Sequence, residues 1–276
     1  MRYILHGAIA AFAIGVIIAG GVFWYRYANR AMPSDAPALV TGPSITDIAA
    51  PQETKDAPQD ASPGAFPLSE GDATEEDEAF PPRVLYQVPF TSQAPFGEWD
   101  DLTFQDGCEE ASMIMAMAWV RGTTLSPEGS KRSIEDITRF VTEKFGAFTA
   151  DTSAEETAQV MRDYYQYAGV DVVHNASIKA IQQLLAKGFL VIAPMNGQKL
   201  HNPHFTQPGP LHHMLVIIGY DRTTQEFITN DPGTKEGKSY RYDEEILYQA
   251  LRDYPTGNDA PLTADDQKTI IVVRKE

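Results

Sequence analysis

The sequence has one cysteine among 276 residues, and its basic side chains are outnumbered, 22 Lys and Arg against 38 Asp and Glu, for a formal charge of −16. A single cysteine cannot form a disulfide within the chain, nor can it supply a zinc site built from two or more thiolates. Nucleic-acid binding needs a basic face that neutralises phosphates, so the acidic balance argues against a nucleic-acid partner. Packing must therefore hold the fold together, and a hydrophobic content of 43% is sufficient for that.

Charge is absent from one long apolar segment, residues 4–25. As a helix these 22 residues would span about 33 Å, slightly more than the roughly 30 Å hydrocarbon core of a bilayer. Trp24 and Tyr25 stand where interfacial aromatic residues are common, and Arg26 and Arg30 follow them. We predict that residues 1–30 form an N-terminal, single-pass membrane anchor, with the rest of the chain outside the cytoplasm in the cell envelope. A cleaved signal peptide is the alternative.

Residues 31–82 lack any sustained apolar period. They contain nine of the 19 prolines and eleven acidic residues, with Lys55 as the single opposing charge. Such a segment cannot bury enough apolar surface to offset the entropy lost on ordering. We predict a disordered, acidic, Pro/Ala-rich linker, with an acidic docking tail as the alternative. Residues 83–276 then form the folded domain.

Within this domain the apolar pattern changes from a helical period to a strand period. Helices are predicted from about residue 108 and over residues 133–144, 153–167, 177–187 and 243–251. Strands are predicted over residues 84–90, 189–193, 213–220, 226–230, 238–242 and 269–274. Helices followed by a mostly antiparallel sheet predict an α+β domain with one interface between the helices and the sheet.

Cys108 opens the first of these helices, directly after Asp106 and Gly107. Backbone N–H groups at a helix N-terminus stabilise a thiolate, so we expect them to lower the pKa of this thiol, as a nucleophile requires. Glu109 and Glu110 fall in the first turn, where the helix dipole favours anions. Free cysteines are also common as small buried apolar residues, and position alone leaves both roles open.

A base and its partner are suggested by two neighbouring strands. His213 begins one apolar strand, and Asp231 ends the next within the sequence NDPG. Antiparallel pairing would bring both to the same end of the sheet, where Asp231 would accept a hydrogen bond from Nδ1 of His213 and leave Nε2 facing the thiol. Asp-Pro-Gly is also a good turn sequence, so Asp231 as a turn former is the alternative.

Four of the six histidines, His201, His204, His212 and His213, are close together in the sequence. Imidazole clusters can bind zinc or copper. However, none of these residues is paired at the i, i+4 spacing of a zinc-binding helix, and prolines interrupt the segment. We predict no metal and no other cofactor, and we expect His201 and His204 on a lid or at the rim of a cleft.

Four segments together resemble the C39-like peptidase family, whose members have the papain-like cysteine peptidase fold. They are VPFTSQAP (residues 88–95), QDGCEEASMIMA (105–116), HHMLVIIGYD (212–221) and NDPGT (230–234). The resemblance covers most of residues 84–274. It implies that Cys108 is the nucleophile, His213 the general base and Asp231 the residue that orients the base.

The resemblance also implies an oxyanion hole formed by Gln93 and the backbone N–H of Cys108, with Gln105 as the alternative glutamine. His213 is preferred to His212 as the base because it lies six residues before Gly219, as in the family's pattern. The sequence contains no Walker-type glycine loop and no six-span region, so it resembles stand-alone members of the family rather than those fused to an ABC transporter.

These features predict a membrane-anchored cysteine peptidase or amide hydrolase that uses a Cys-His-Asp triad on a peptide or protein substrate. A non-catalytic, tethered binding module on the same fold is one alternative, because folds can be retained when their chemistry is lost. A transglutaminase-like acyl transferase, which uses the same triad, is another. The sequence indicates neither the bond that is cleaved nor the oligomeric state.

Overall fold

The structure, a computed structural model, describes residues 80–145, 151–257 and 268–275. The predicted anchor at residues 4–25 lies outside these residues, and so does the predicted linker apart from residues 80–82. Within the described stretches, no helix combines the length and the apolar character that a bilayer crossing requires.

The described residues form helices and strands in nearly the predicted order. The strands are β1 (Arg83–Leu85), β2 (Val170–Val173), β3 (Leu190–Met195), β4 (His213–Asp221), β5 (Glu226–Asn230), β6 (Tyr240–Asp243) and β7 (Ile270–Val273). The helices are α1 (Leu102–Gln105), α2 (Cys108–Arg121), α3 (Pro127–Phe145), α4 (Ala154–Tyr164), α5 (Ile178–Ala186) and α6 (Glu244–Ala250), with a short 3₁₀ helix at Gly197–Leu200.

Most differences from the predicted elements lie at their ends. Helix α2 begins at Cys108, as predicted. Helix α3 begins earlier than predicted, at Pro127, because proline is well tolerated in the first turn of a helix. Strand β1 ends at Leu85 rather than continuing to residue 90. Strand β2 and the four-residue α1 have no counterpart among the predicted elements.

The strands form a sheet in the order β2-β7-β3-β4-β5-β6, and every neighbouring pair is antiparallel. Strand β1 pairs with the end of β4, where Leu85 lies opposite Gly219. A Cβ atom on Gly219 would come within 2.2 Å of the Val84 carbonyl oxygen, so only glycine permits this close approach of the two strands. The predicted α+β architecture with a mostly antiparallel sheet is confirmed.

The sheet is a middle layer, because apolar side chains cover both of its faces. Helices α2, α3 and α4 pack on one face together with Met214 and Val216 of β4. Helices α5 and α6 pack on the other face with Leu215 and Ile217. The expectation of one interface between helices and sheet is therefore wrong. Strand β4 is apolar on both sides because alternate residues enter different clusters.

Hydrogen bonds bring the N-terminus of α2 and the start of β4 to the same end of the domain. In α2, the Ser112 hydroxyl donates to the Met214 carbonyl at 3.3 Å. The segment before α1 is tied to the turn after β5, since the Gln93 N–H and the Ser92 hydroxyl both donate to the Pro232 carbonyl, at 3.0 and 3.2 Å. Residues distant in sequence therefore meet at this end.

Candidate active site

A cleft of about 540 Å³ opens at this end of the domain. Cys108, His213, Gln93 and Gln105 all contribute to its lining, and residues 205–210 form another part of the wall. Asp231 is fully buried. The structure therefore brings together, in one place, the side chains that the sequence singled out from three separate regions of the chain.

Cys108 occupies the first position of α2, after Gly107 at the N-cap. A Cβ atom on Gly107 would lie 2.9 Å from the Thr103 carbonyl oxygen, so glycine allows α1 and α2 to follow each other closely. The Cys108 side chain is nearly enclosed, with 4% of the residue exposed. Its thiol donates a hydrogen bond to Oε2 of Glu109 at 3.0 Å.

The surroundings of Cys108 oppose ionisation of its thiol. Burial raises the pKa of the Cys108 thiol well above its ordinary value, and the carboxylates of Glu109, Asp151 and Glu110 raise it further. The expectation that the helix N-terminus lowers this pKa is therefore wrong, because desolvation and nearby negative charge outweigh the helix dipole. Burial and these carboxylates thus favour the protonated thiol.

His213 and Asp231 form a buried pair in which Nε2 of the imidazole donates to Oδ1 of the carboxylate at 2.8 Å. The predicted contact through Nδ1 is wrong, because Nε2 is the ring nitrogen that lies at the carboxylate. Val216 lies opposite Asn230, so continuing the register places Asp231 opposite Leu215, diagonal to His213 on the same face. Because Nε2 donates to Asp231, Nδ1 is the acceptor nitrogen of the neutral imidazole.

Asp231 is held as a carboxylate by several donors. The Tyr242 hydroxyl donates to Oδ2 at 2.6 Å, the Asn202 amide donates to the same oxygen at 3.4 Å, and the Gly233 N–H donates to Oδ1 at 3.0 Å. Burial alone would raise the pKa of Asp231, but His213 and the bonds from Tyr242 and Gly233 outweigh it and lower the pKa. An ionised Asp231 can orient His213 and stabilise its positive form.

The two candidate glutamines differ in their surroundings. Gln93 is buried, whereas Gln105 is exposed. The Gln93 amide nitrogen donates to the Gln105 backbone carbonyl at 2.6 Å, which leaves its second hydrogen for a ligand in the cleft. Gln105 thus positions Gln93 through its backbone, and this arrangement favours Gln93 for the oxyanion hole.

His212 has a carboxylate partner of its own. Because consecutive strand residues face opposite sides, His212 diverges from His213, and its Nδ1 lies 2.9 Å from Oδ2 of Asp151. The His212 ring is stacked on Tyr254, with 4.6 Å between ring centroids and 6° between planes. The Tyr254 hydroxyl in turn donates to Oε1 of Glu109 at 2.7 Å.

Sequence patterns missed these supporting residues for understandable reasons. Asn202 lies in the proline-interrupted segment, and Asp151 and Tyr254 lie in irregular segments next to helices, so no spacing points to them. Glu109 has the position of a solvated first-turn residue, but it is 1% exposed. Burial of this kind depends on which elements pack around the start of α2, and a local pattern does not contain that information.

The two other histidines of the cluster, His201 and His204, are not among the residues that line the cleft. His204 is near the rim of the cleft, with its Nδ1 3.9 Å from Oε2 of Glu236, and His201 is exposed. Within the residues that the structure describes, no group of three or more His, Cys, Asp or Glu side chains is arranged to hold a metal ion.

Glu110 should make the stability of this region depend on pH. It is buried, its Oε1 accepts one long hydrogen bond from Thr138 at 3.4 Å, and burial raises its pKa from 4.5 to about 7. A carboxyl group with a raised pKa in the folded chain contributes stability that is fully present below the unfolded pKa and is lost as pH rises through the folded pKa.

We expect Glu110→Gln to remove this loss. From about pH 4 to pH 8.5 the stability of the wild type should fall by about 3 kcal/mol more than that of the variant. The Glu110 pKa differs by about 2.5 units between the folded and the unfolded chain, and each unit corresponds to ~1.36 kcal/mol. Urea unfolding at the two pH values measures it. Glu128→Gln, at an exposed glutamate in the first turn of α3, is the control. A pH-independent difference for Glu110→Gln would contradict the prediction.

A comparison with family profiles identifies the family of this chain. The sequence profile of the Peptidase_C39 like family matches residues 85–255. The chain is similar to a C39-like peptidase from Bacillus anthracis, with 17% identity, 70% of this chain and 98% of that chain covered, and a TM-score of 0.47. It is also similar to xylellain, a cysteine protease from Xylella fastidiosa, with 13% identity, 72% and 88% covered, and a TM-score of 0.30. A search among curated proteins finds no match.

The profile match spans more than half of the chain and includes Gln93, Cys108, His213 and Asp231. This match is sufficient to assign the family, whereas the structural similarities alone are not. The chain belongs to the Peptidase_C39 like family, a family of cysteine peptidases.

Proposed function

We propose that this chain is a cysteine peptidase or amide hydrolase in which Cys108 is the nucleophile, His213 the general base and Asp231 the residue that orients the base. One observation carries the proposal: Cys108, at the N-terminus of a helix, and His213, paired with a buried carboxylate, line the same cleft of about 540 Å³. A nucleophile at a helix start and a base at a strand start, both lining one cleft, also support a papain-like arrangement.

The reaction follows from the chemistry of these groups. Sγ of Cys108 attacks the carbonyl carbon of the scissile amide while its proton passes to Nδ1 of His213. His213 then gives that proton to the leaving amine as the C–N bond breaks, and a thioester on Cys108 remains. Water, deprotonated by His213, hydrolyses the thioester and restores the thiol. Asp231 stays ionised and stabilises the imidazolium formed in each half of the cycle.

Gln93 and the backbone N–H of Cys108 would donate to the developing oxyanion. We expect Gln93→Ala to lower kcat by about 10²–10³ with a much smaller change in KM, since this donor acts mainly in the transition state. Steady-state kinetics on a cleaved peptide measure the two constants separately. Gln105→Ala is the matched control, because its contact with Gln93 is made by the backbone carbonyl, which the substitution keeps. Equal losses in both variants would contradict the assignment to Gln93.

A non-catalytic peptide-binding module is the second candidate, and the environment of Cys108 favours it. The residue is 4% exposed, and burial raises the pKa of its thiol, so the sulfur is a poor nucleophile until a base acts on it. In such a protein the cleft would hold a peptide segment without breaking a bond. The His213–Asp231 pair favours the hydrolase, because a binding cleft does not need an oriented base.

Incubation of the full chain with a peptide library, with products read by mass spectrometry, tests the proposal. The hydrolase predicts cleaved peptides, and prior alkylation of Cys108 with iodoacetamide should abolish them. Retention of intact peptides without cleavage would identify a binding module and overturn the proposal. Addition of methylamine separates the acyl transferase, which would yield N-methylamides as its main products instead of free carboxylates.

The N-terminal part of the chain enters the proposal as a tether. Residues 4–25 serve as the single-pass membrane anchor, and residues 31–82 as an extended acidic spacer with a root-mean-square span of about 40 Å. The catalytic domain, residues 83–276, would then act on peptides or proteins of the cell envelope, outside the cytoplasm. The support for this part is the composition of residues 1–82.

A further inference from the structure

The thiol of Cys108 is bonded to a glutamate that is closed off from solvent. Glu109 is 1% exposed, and each of its two carboxylate oxygens has a defined partner. Oε2 lies 3.0 Å from Sγ of Cys108, and Oε1 accepts the hydroxyl of Tyr254 at 2.7 Å. These two contacts fix Glu109 beside the sulfur, so that its charge, whenever it is ionised, acts on the sulfur at hydrogen-bond distance.

Tyr254 is itself fixed from a second direction. Its ring lies flat on the ring of His212, 4.6 Å between centroids, and His212 is anchored by Asp151 at 2.9 Å. The cluster of Glu109, Tyr254, His212 and Asp151 thus links α2, the segment after α6, the start of β4 and the segment before α4. Four separate parts of the chain converge on the carboxylate that contacts the nucleophile.

We propose that Glu109 is a positioning residue that governs how readily the Cys108 thiol gives up its proton, and that Tyr254 holds Glu109 in place for this role. When Glu109 is ionised, it accepts the S–H hydrogen bond and its charge opposes transfer of the proton to His213. When Glu109 carries a proton, the repulsion disappears and its O–H can donate to the sulfur as the thiolate forms.

The groups around Glu109 favour its protonated form. Burial raises the pKa of Glu109 well above its ordinary value, and the carboxylates of Asp151 and Glu110 raise it further, while the bonds from Tyr254 and Cys108 lower it. His212 reaches the cluster through its contacts with Tyr254 and Asp151. While Glu109 is protonated, the Cys108 thiol should therefore ionise more easily than a buried thiol that lies beside an ionised carboxylate.

Alkylation of the full chain by iodoacetamide over about pH 5–9 tests this, because Cys108 is the one cysteine in the sequence and the adduct reports on it alone. Glu109→Gln keeps the shape and removes the charge. Its alkylation rate should match the wild type near pH 5 and exceed it at pH 8–9 by at least about threefold, since each unit of lower thiol pKa gives tenfold more thiolate that is a somewhat weaker nucleophile.

Two further variants keep the test decisive. Glu110→Gln removes a neighbouring buried glutamate that bonds to Thr138 and not to the sulfur, so it should change the rate much less. Tyr254→Phe removes the donor that favours ionised Glu109, so its rate at pH 8–9 should lie between those of the wild type and Glu109→Gln, and it replaces that variant if Glu109→Gln does not fold. Equal pH profiles for the wild type and Glu109→Gln, or an equal effect of Glu110→Gln, would overturn the inference.

This inference rests on the proposed function only in taking Cys108 as the nucleophile, and the experiment separates the two. Alkylation needs no peptide. A divergent Glu109→Gln profile in a chain that cleaves no peptide would support the role of Glu109 and overturn the hydrolase. Peptide cleavage with identical alkylation profiles would do the reverse.

Discussion

Cys108→Ala should abolish peptide cleavage and iodoacetamide labelling while leaving the fold nearly as stable as the wild type. Loss of a nucleophile that acts together with its base lowers kcat by roughly 10⁶ in comparable hydrolases, which is below detection for most peptides. The structural cost is small. Removal of one sulfur atom from a buried site and of one hydrogen bond to Glu109 should cost about 1 kcal/mol, or a few degrees in Tm.

Ser112→Ala is the matched control for this substitution. Ser112 lies one turn further along α2, is fully buried and also makes one hydrogen bond, to the Met214 carbonyl at 3.3 Å. It should lose a similar amount of stability and keep its activity. If Cys108→Ala unfolds while Ser112→Ala remains folded, Cys108 is a core residue and the catalytic assignment fails. Residual cleavage near the wild-type rate would contradict it equally.

Asp231→Asn should lower kcat by about 10³–10⁴ with little change in KM. The site around Asp231 is built from donors, namely the ring of His213, the hydroxyl of Tyr242, the amide of Asn202 and the N–H of Gly233. A carboxylate accepts all of them, whereas an asparagine has one acceptor oxygen and adds donors of its own. The substitution also removes the charge that stabilises the imidazolium. KM should change little because Asp231 is fully buried behind His213.

Asp151→Asn provides the comparison, because Asp151 contacts the neighbouring histidine, His212, at 2.9 Å, a distance similar to that between Asp231 and His213. We expect a smaller loss of kcat from Asp151→Asn than from Asp231→Asn, as His213 is the base in the proposed mechanism. The opposite order would assign the base to His212. If Asp231→Asn keeps a nearly normal kcat, Asp231 is a turn former before Pro232 and Gly233, and the triad is wrong. Circular dichroism of each variant verifies that it is folded.

Local sequence patterns were sufficient for most of the secondary structure. Ser177 marks the start of α5 because its hydroxyl accepts the N–H of Ala180, a short-range contact that any sequence of this kind can make. The apolar run from residue 213 predicts β4 to within one residue. That run did not reveal that both faces of β4 are covered, because a fully apolar strand is compatible with burial on either side or both.

The candidate site likewise has features that the sequence predicts and features that only the tertiary structure shows. The sequence by itself determined which residue types are present and in which elements they lie: a thiol at a helix start, an imidazole at a strand start and a carboxylate at the end of the next strand. These features depend on short-range propensities and on spacing. Their convergence on one cleft depends on pairing between segments more than 100 residues apart.

Only the tertiary structure decided the chemistry of these groups. The tertiary structure, not the sequence, pairs Nε2 rather than Nδ1 of His213 with Asp231. Burial and the neighbouring carboxylates raise the pKa of Cys108, the one cysteine of the chain, whereas its position at a helix N-terminus predicted a lower pKa. The physical reason is the same in both cases. Hydrogen-bond geometry and desolvation depend on residues that are close in space, and local sequence patterns do not specify which residues those are.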